Sequence, residues 1–408
     1  MSQPTPQLTV PPEAAWGPTF DVGRATDAYI ATIPAADRAK SDAYFEGGYW
    51  IDAWNTLIVV ALCLLLLNFR LAARVRDAVA ARGRGPWLQS LVVAVAVLLA
   101  ISVLALPWDA YVQYFREHQY GMSNYTPGRF FGEWVMLTAI GVAVMGLAIS
   151  GIYRLVRRVR EGWVWWATAA TAAFVLFIFM VAPVTVEPLL NDYQPLPAGQ
   201  VREDILALAK ETNIPVDDVF WFDASKQTKR ISANVSGLGG TARIALNDNL
   251  LNGTSLPEIR AVMGHEMGHY ALHHGIKLSI GFTLFLGIGY FVVNRVFGRF
   301  QRRYGERWGI RDIADPAGLP LALAIFTVVM YLLTPATNSM IRIAEAQADA
   351  FGLDAAKEPH GFASVAMRLS TYRKLEPGAL EEVIFYDHPS GRARVERSMR
   401  WLAEHPPE

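Results

Sequence analysis

The sequence predicts a mainly α-helical, multi-pass membrane protein with six spans, plus a small α+β unit that the last two spans divide. Hydrophobic residues make up 52% of the 408 residues and charged residues only 18%, which is typical of integral membrane proteins rather than soluble ones. Six runs lack charge for about the 17–25 residues that a bilayer requires. Tryptophan and tyrosine cluster at the ends of these runs, as in the interfacial belts of membrane helices.

The spans divide the chain into five segments. A polar segment, 1–50, precedes a four-span region, 51–186. A second polar segment, 187–277, is separated from the C-terminal one, 342–408, by the last two spans, in 278–341. The six uncharged runs cover residues 53–69, 87–108, 134–153, 163–186, 278–294 and 317–341.

The first segment lacks the basic and apolar regions of a cleavable signal peptide. Because it is polar and Pro-rich at its start, we expect residues 1–18 to be disordered. The single cysteine, Cys63, lies in the first span and cannot form an intrachain disulfide. The net charge is zero and no basic tract suits a nucleic acid, so a nucleic acid is excluded as a partner.

Arginines are concentrated in the loops that follow the first, third and fifth spans, which a six-span topology places on one side of the membrane. The positive-inside rule makes this side cytoplasmic and the two long polar segments external. These arginines are Arg70, Arg74, Arg76, Arg82, Arg84, Arg154, Arg157, Arg158, Arg160, Arg295, Arg299, Arg302, Arg303, Arg307 and Arg311.

The two long polar segments combine into one small α+β unit. The first mixes an amphipathic helix with short β-branched and apolar runs, and the second is helical. In the first we expect a helix at 201–212 and strands at 219–222, 231–235 and 242–246; in the second we expect helices at 342–356, 362–375 and 392–404.

Residues 265–269 read His-Glu-Met-Gly-His, a single H-E-x-x-H motif. On a helix, His265 and His269 are about 6 Å apart along the axis and lie on nearly the same face, so both imidazoles can reach one zinc ion. Glu266 then lies beside the metal and can take a proton from the attacking water. Composition alone predicts roughly 0.01 such motifs, so chance is a poor explanation.

The residues around the motif predict the helix that the metal geometry needs. Ser255 and Glu258 form a capping box, and apolar residues follow at helical spacing, which predicts a helix over 256–274. His273 cannot be a third ligand, since three positions along one straight helix do not converge on a tetrahedral ion. We expect His273 and His274 to lie on the helix surface or behind the metal ligands.

The C-terminal segment offers a candidate third ligand. Glu345 and Asp349 are four residues apart on a predicted helix and therefore share a face. Glu345 would complete a His-His-Glu set, and Asp349 could accept a hydrogen bond from a ligand imidazole. An ordinary amphipathic helix with surface acids explains the same spacing, so spacing alone leaves the third ligand open.

The order H-E-x-x-H, two apolar spans, then R-x-x-E-x-x-A-D resembles the type I CAAX prenyl protease family of integral-membrane zinc peptidases. The likeness extends over about residues 25–405. Four further stretches are similar to motifs of that family, at 117–124, 187–197, 241–251 and 388–394.

The resemblance implies a zincin-like catalytic unit that holds one Zn²⁺ per chain. The metal ligands would be His265, His269 and Glu345, with Glu266 as the catalytic base and Asp349 behind the ligands.

Four further residues acquire candidate roles from the same resemblance. His388 and Arg394 match positions near the metal, where they could stabilise the oxyanion. Taken alone, His388 is equally well explained as a residue at the start of the last helix. The family's substrate-binding strand matches 232–237, to which an extended substrate could add, and either Ser232 or Asn234 would take the place of the family's asparagine.

The sequence departs from this family in two further respects. We count six spans where the family usually has seven, and the missing span is the N-terminal one. The family's His-Pro-Pro reads His-Pro-Ser here. The resemblance also implies a catalytic unit facing the cytosol, which opposes the orientation that the arginines predict.

The sequence thus predicts a membrane-embedded zinc metalloendopeptidase acting on membrane-associated proteins or peptides. Its partners would be a peptide or protein substrate, lipidated in the family's type reaction, and membrane lipids; a bacterial source would place it in the plasma membrane. Alternatives are a quality-control protease without prenyl specificity, an intramembrane-cleaving protease, and a non-catalytic chaperone or transporter that retains the fold.

Overall fold

The computed structural model describes residues 6–237 and 242–407, which are mostly helical. After a 3₁₀ turn at Pro12–Ala14, the first half of the chain is entirely helices and loops, and a π-helical stretch, Tyr111–Phe115, continues α4 into α5. The helices of this half are α1 (Val22–Ala31), α2 (Ala35–Asn68), α3 (Leu71–Ala81), α4 (Pro86–Ala110), α5 (Arg116–Tyr120), α6 (Pro127–Val159), α7 (Trp163–Thr185) and α8 (Glu187–Leu190).

The second half contains the strands and the remaining helices. Its elements are β1 (Tyr193–Pro195), α9 (Gln200–Glu211), β2 (Val219–Phe222), β3 (Ala233–Ser236), β4 (Arg243–Asn247), α10 (Asp248–Gly253), α11 (Leu256–Ala271), α12 (His274–Trp308), α13 (Leu319–Ala356), α14 (Pro359–Leu369), α15 (Ala379–Phe385) and α16 (Gly391–Glu404).

Six helices are long and apolar enough to cross a membrane: α2, α4 with its continuation to Tyr120, α6, α7, α12 and α13. The predicted six-span architecture is therefore confirmed. Large apolar side chains remain exposed along these helices, as expected of surfaces that face lipid; examples are Leu57, Leu147, Phe177, Leu284 and Leu332. With 38 residues, α13 rises about 57 Å, nearly twice the hydrocarbon thickness, so it continues well beyond the membrane.

The sheet has four strands in the order β1-β2-β4-β3. The pairs β1–β2 and β3–β4 are antiparallel and β2–β4 is parallel. The predicted strand at 219–222 is found at those residues, whereas β3 and β4 begin two residues and one residue later than predicted. The strand β1 was not predicted, because three residues, one of them proline, carry no alternation signal. Apolar residues of α9 and α11 pack against the sheet and form the core of this unit.

The arginine-rich loops after the first, third and fifth spans meet at one end of the helix bundle. Arg76 of α3 is hydrogen-bonded and ion-paired to Asp315, which precedes α13. Arg157 of α6 donates to Ser90 Oγ of α4 at 2.9 Å. The sheet and α14–α16 lie at the opposite end, where Asn338 Nδ2 donates to the Ile384 carbonyl at 2.9 Å.

The expectation that residues 1–18 are disordered is wrong for the described part of that stretch. Ala14 is fully buried, and Ala25 and Tyr29 of α1 pack with it against α14 and α16. Tyr29 Oη is also 2.9 Å from His360 Nδ1. The polar composition concealed a few apolar side chains that have a docking surface only after the C-terminal helices form. Residues 1–5 lie outside the described residues.

Candidate metal centre

The helix α11 carries the H-E-x-x-H motif, and its start is set by the predicted capping box. The Ser255 backbone N–H donates to Glu258 Oε2 at 2.7 Å, and Pro257 occupies the first turn. The helix ends at Ala271, three residues before the predicted end, because His273 adopts a left-handed φ of 56° and α12 begins at His274. His273 therefore stays exposed, whereas His274 is buried.

Glycines let α11 approach α13 closely. A Cβ atom added to Gly264 would lie 2.9 Å from the Gly352 carbonyl oxygen, and one added to Gly268 would lie 3.1 Å from Ala348 Cα. In the other direction, a Cβ on Gly352 would lie 2.7 Å from the His265 backbone nitrogen. The two helices therefore pack backbone to backbone, and this contact brings Glu345 of α13 opposite the histidines.

Side-chain atoms of His265, His269 and Glu345 converge on one point. His265 Nε2 is 3.1 Å from His269 Nε2 and 3.2 Å from Glu345 Oε2, and His269 Nε2 is 3.3 Å from Glu345 Oε1. The three residues offer ligand atoms that all lie within 4.8 Å of one another. The structure thus brings together the three residues that the sequence singled out as metal ligands.

Asp349 lies directly behind His265. Its Oδ1 accepts a hydrogen bond from His265 Nδ1 at 2.8 Å, which leaves Nε2 with a free lone pair toward the converging atoms. Arg394 of α16 donates to both carboxylate oxygens of Asp349, with Nε 3.0 Å from Oδ2. Arg394 thus holds the Asp349 carboxylate in place, and Asp349 in turn orients the His265 imidazole. The Nη1 of Arg394 has no hydrogen-bond partner among the described residues.

A second chain of hydrogen bonds ends at His269. Gln347 Oε1 accepts from His274 Nε2 at 3.0 Å, so His274 Nδ1 is the unprotonated nitrogen of a neutral ring. His274 Nδ1 lies 3.0 Å from His269 Nδ1 and accepts a hydrogen bond from it. His269 Nε2 is then the nitrogen with the free lone pair. Both imidazoles therefore present a lone pair to the same point, each held by a different partner.

The surroundings of the His265 imidazole favour positive charge. Burial lowers the pKa of His265, but its hydrogen bonds to Asp349 and Glu345 outweigh burial and raise that pKa to about 9. Burial raises the pKa of the Glu266 carboxyl above its usual range, although His265 and His269 oppose this. Glu266 lines the same pocket and makes no hydrogen bond or ion pair within the described ranges.

Comparisons with known proteins agree with this geometry. The model of "Peptidase family M48" matches residues 195–406, slightly more than half of the chain. The chain belongs to peptidase family M48. A second model, "CAAX prenyl protease N-terminal, five membrane helices", matches residues 24–192, where the structure has four candidate spans among the described residues. The M48 chain is thus a multi-pass membrane metalloprotease.

Individual relatives are described as a metalloprotease or as CAAX prenyl proteases. The uncharacterized metalloprotease YhfN of Bacillus subtilis is 29% identical over 74% of this chain and 71% of its own length. The CAAX prenyl protease 1 homolog of Dictyostelium discoideum is 27% identical over 64% of this chain and 61% of its own length. The crystal structure of S. mikatae Ste24p superposes with a TM-score of 0.76 over 90% of both chains at 20% identity, which shows a shared fold.

The pocket of this M48 protein encloses about 170 Å³. Its walls come from β3 with the residue before it, α11, α13, α14 and the segments between α14 and α16. The lining includes Ser232, Glu266, Glu345, Arg373 and His388. His388 Nε2 is 3.2 Å from Glu345 Oε2, so His388 faces the metal centre rather than only starting a helix. Asn234 does not line this pocket, and its buried Oδ1 has no hydrogen-bond partner among the described residues.

The strand β3 lies at the end of the sheet, beside the pocket. Ser232 exchanges hydrogen bonds with Asn247, since its carbonyl accepts from the Asn247 N–H at 2.9 Å and its own N–H donates to Asn247 Oδ1 at 3.1 Å. Backbone directions alternate along a strand, so the N–H and C=O groups of Ala233 and Val235 point away from β4. The described part of the sheet leaves this edge open.

The loop before the third span braces this edge strand. Met122 and Asn124, within the stretch 117–124, pair through their backbones with Lys229 and Gln227 at 3.1 and 2.9 Å. The similar stretch 117–124 therefore lies beside the segment that leads into β3. In the similar stretch 241–251, Thr241 lies outside the described residues.

Sequence reasoning missed several residues of this site. Gln347 and Tyr372 carried no motif, and Arg373 was one of many arginines. The guanidinium of Arg373 lines the pocket, yet it makes no hydrogen bond or ion pair with any residue that the structure describes. No pattern within one segment identifies these residues, since Tyr372 and Arg373 reach the pocket, and Gln347 reaches His274, only through tertiary packing.

Proposed function

We propose that this protein is a zinc endopeptidase, with His265, His269 and Glu345 as the metal ligands and Glu266 as the catalytic base. The observation that carries the proposal is the convergence of two imidazole lone pairs and one carboxylate beside a free glutamate. A protein that had kept only the fold, such as a chaperone or transporter, has no use for an unpaired carboxylate at that place.

The donor set fits zinc in particular. Two ligand atoms bonded at ~2.0–2.1 Å to a tetrahedral ion lie about 3.3 Å apart. The three separations here are 3.1, 3.2 and 3.3 Å. Two imidazoles and one carboxylate are also the protein ligands of several catalytic zinc sites, which keep a fourth position for water. We infer one zinc ion per chain.

The chain's own residues would carry the proton transfers. When bound, zinc supplies a Lewis acid that polarises the scissile carbonyl and acidifies the attacking water. Glu266 accepts the proton of that water and then delivers it to the leaving amine. His388, whose Nδ1 lies 2.8 Å from Asp387 Oδ1 and whose Nε2 faces Glu345, would donate a hydrogen bond from Nε2 to the developing oxyanion in its doubly protonated form. Arg394 acts mainly by holding Asp349, with Nη1 left to assist at the oxyanion.

The open edge of β3 would bind the substrate main chain. An extended peptide that pairs with the outward groups of Ala233 and Val235 becomes a fifth strand beside the metal centre. Ser232, rather than Asn234, would contact the substrate side chain, because only Ser232 lines the pocket. Such recognition requires an extended substrate segment outside the hydrocarbon core. The helix α11 is not a candidate span, which disfavours intramembrane cleavage.

We consider two substrate classes, of which the names of the relatives suggest the first. Some relatives are named CAAX prenyl proteases, so we propose C-terminal segments of membrane-associated proteins, lipidated ones included, as the first class. A quality-control protease that trims other membrane proteins is the second. Comparing the protein termini in membranes that carry wild type or Glu266→Gln decides between them, since prenylated C-termini change in the first case and unmodified ones in the second.

A first experiment tests the mechanism with purified full-length protein in detergent. Glu266→Gln should retain about one zinc per chain but lose roughly 10²–10⁴-fold in turnover of a fluorogenic peptide, because the general base is gone. Glu345→Ala should lose most of its zinc. The exposed Glu396→Gln serves as the matched control and should change neither. Full turnover in Glu266→Gln, or full zinc in Glu345→Ala, would refute the corresponding role.

A further inference from the structure

A second cavity lies at the opposite end of the helix bundle from the metal centre. It encloses about 650 Å³, compared with about 170 Å³ at the metal centre. Ligand-binding clefts typically enclose ~300–1,000 Å³. The ends of α3, α4 and α6 and the loop before α13 form its walls. We call it the arginine cleft, because it is lined by Arg76, Arg157, Arg160 and Arg311.

Part of the positive charge in the arginine cleft is neutralised internally. Arg76 is ion-paired with Asp315 and, at 2.8 Å, with Asp77. Asp315 also accepts backbone hydrogen bonds from Arg311 and Ala317 at 2.9 and 3.0 Å. These contacts satisfy Asp315 and make it structural, so it leaves no free negative charge in the cleft.

Two arginines remain without an acidic partner among the residues that the structure describes. Arg157 Nη1 donates to Ser90 Oγ at 2.9 Å and approaches the Ala314 carbonyl at 3.5 Å, and both of these acceptors are neutral. The Arg160 side chain makes no hydrogen bond or ion pair within the described ranges, whereas its backbone ends α6 at a φ of 51° and donates to the Val156 carbonyl at 3.1 Å. The Asp312 carboxylate, on the same wall, instead caps a turn by accepting from Ala314 N–H at 2.9 Å.

The position of the arginine cleft along the helices is the one expected for lipid headgroups. It opens where α4 begins and α6 ends, and exposed tryptophans surround this end of the bundle at Trp87, Trp165 and Trp166. Such tryptophans mark the membrane–water interface. Phosphate is the abundant anion at that depth, and the planar guanidinium fork matches its oxygens. A basic pocket between membrane helices at this level is suited to an anionic headgroup.

We propose that the arginine cleft binds the phosphate of an anionic phospholipid, with Arg157 and Arg160 as its main ligands. The bound headgroup would join α6 to the N-terminal ends of α4 and α13. Because a ligand that binds only the folded state stabilises it, occupancy would also raise the thermal stability of the protein. The site is separate from the metal centre, so the proposal is independent of the proposed peptidase mechanism.

Binding of a fluorescent phosphatidylglycerol to the full-length protein in detergent tests this assignment. Wild type should bind it saturably and more tightly than phosphatidylcholine with the same acyl chains. Arg157→Gln/Arg160→Gln should weaken binding by about 30-fold, from the usual contribution of two arginines near an anionic lipid. The matched control is Arg154→Gln/Arg158→Gln, which removes the same charge from exposed positions of α6 outside the cleft and should bind within about twofold of wild type.

Equal losses in the two double variants, or no preference for phosphatidylglycerol, would overturn the proposal. Competition separates the lipid from a soluble phosphate source, since millimolar inorganic phosphate that displaces the lipid completely would also overturn the lipid assignment. Arg160→Gln alone guards against misfolding of the double variant, because this side chain makes no contact that folding needs. It should weaken binding about fivefold with an unchanged gel-filtration profile.

Discussion

Single side chains behind the proposed metal ligands determine which imidazole nitrogen offers its lone pair. Asp349 does this for His265, and the pair Gln347–His274 does it for His269. The second arrangement is less direct, because the hydrogen bond from His269 is accepted by a neutral histidine and not by a carboxylate. The hydrogen bond from His269 to His274 depends on Gln347, because Gln347 sets the tautomer of His274.

We expect His274→Ala to weaken zinc binding by about 10–100-fold, since ligand orientation is lost while the ligands stay. The neighbouring His273→Asn is the matched control, because it is exposed and asparagine tolerates the left-handed φ of that position. Competition with a chromogenic chelator measures both affinities. A zinc affinity that is unchanged in His274→Ala, or that falls equally in His273→Asn, would contradict this role.

Glu258 connects the start of α11 to α14. Its buried carboxylate accepts hydrogen bonds from Ser255, Ser364 and Arg368. Burial raises its pKa, but these partners outweigh burial, so the pKa of Glu258 in the folded protein lies below its ordinary value. The stabilisation is therefore present above the unfolded pKa of about 4.3 and is lost as the pH falls through the folded pKa.

We expect Glu258→Gln to destabilise the protein at pH 7 by about 2 kcal/mol, a buried-pair value reduced because Arg368 is partly exposed. The difference in thermal midpoint between wild type and variant, measured in detergent, should shrink as the pH is lowered below about 4. Glu396→Gln, from an exposed pair with Arg400, should show little difference at any pH. A gap between Glu258→Gln and wild type that stays constant with pH would exclude this charge as the cause.

The residues of the metal centre could be predicted from the sequence to different degrees. His265, His269 and Glu266 follow from spacing along one helix, which is a local property. Glu345 needed the family resemblance, because its approach to the histidines depends on how two distant helices pack. Gln347 and Arg373 could not be found, since nothing in their neighbouring residues distinguishes them.

At the scale of elements, the packing of α11 on α13 sets the distances within the metal centre. The contact depends on the absence of side chains at Gly264, Gly268 and Gly352. Ridges formed by any larger residue would separate the helices and move Glu345 away from the imidazoles.

We expect Gly352→Ala to lower zinc affinity at least about tenfold, because its Cβ would lie 2.6 Å from Phe362 Cζ and 2.7 Å from the His265 backbone. Gly151→Ala in α6, where nothing lies within 4 Å, controls for the general effect of alanine in a helix. Metal analysis after dialysis against a weak chelator compares the two. If Gly352→Ala retained as much zinc as wild type, the close contact between α11 and α13 would not be needed for zinc binding.

Elements could be predicted where the sequence carries one strong signal, such as the hydropathy of a membrane span. The six spans follow from hydropathy, whereas the helices α2, α6, α12 and α13 continue beyond the uncharged runs, where composition no longer marks them. The helix predicted at 362–375 ends at Leu369, and α15 was not expected. Both lie where polar and apolar residues mix, so packing against α2 and α13 decides the local conformation.

For the whole molecule, the orientation in the membrane remains a prediction on which two arguments disagree. Arginine loops gathered at one end favour a cytoplasmic position for that end and an external metal centre. The resemblance favours a metal centre in the cytosol. We follow the arginines, because all three loops are short and the rule holds best for short loops.

Single cysteines at Gly253 and Arg158, in a Cys63→Ala background, test this orientation in intact cells with a membrane-impermeant thiol reagent. Both positions are exposed, at opposite ends of the bundle, and removal of the single Cys63 leaves each introduced cysteine as the only thiol. We expect labelling at 253 and none at 158. The reverse pattern would place the metal centre in the cytosol.

The order of the ligands along the chain delays assembly of the metal centre while the protein is being made. The ribosome produces His265 and His269 before α12, but it reaches Glu345 only after most of α13. A nascent chain therefore holds two imidazoles without their carboxylate partner. Given the proposed ligand set, it cannot hydrolyse the proteins that are inserted beside it. With these ligands, proteolytic activity would begin only once α13 is in place.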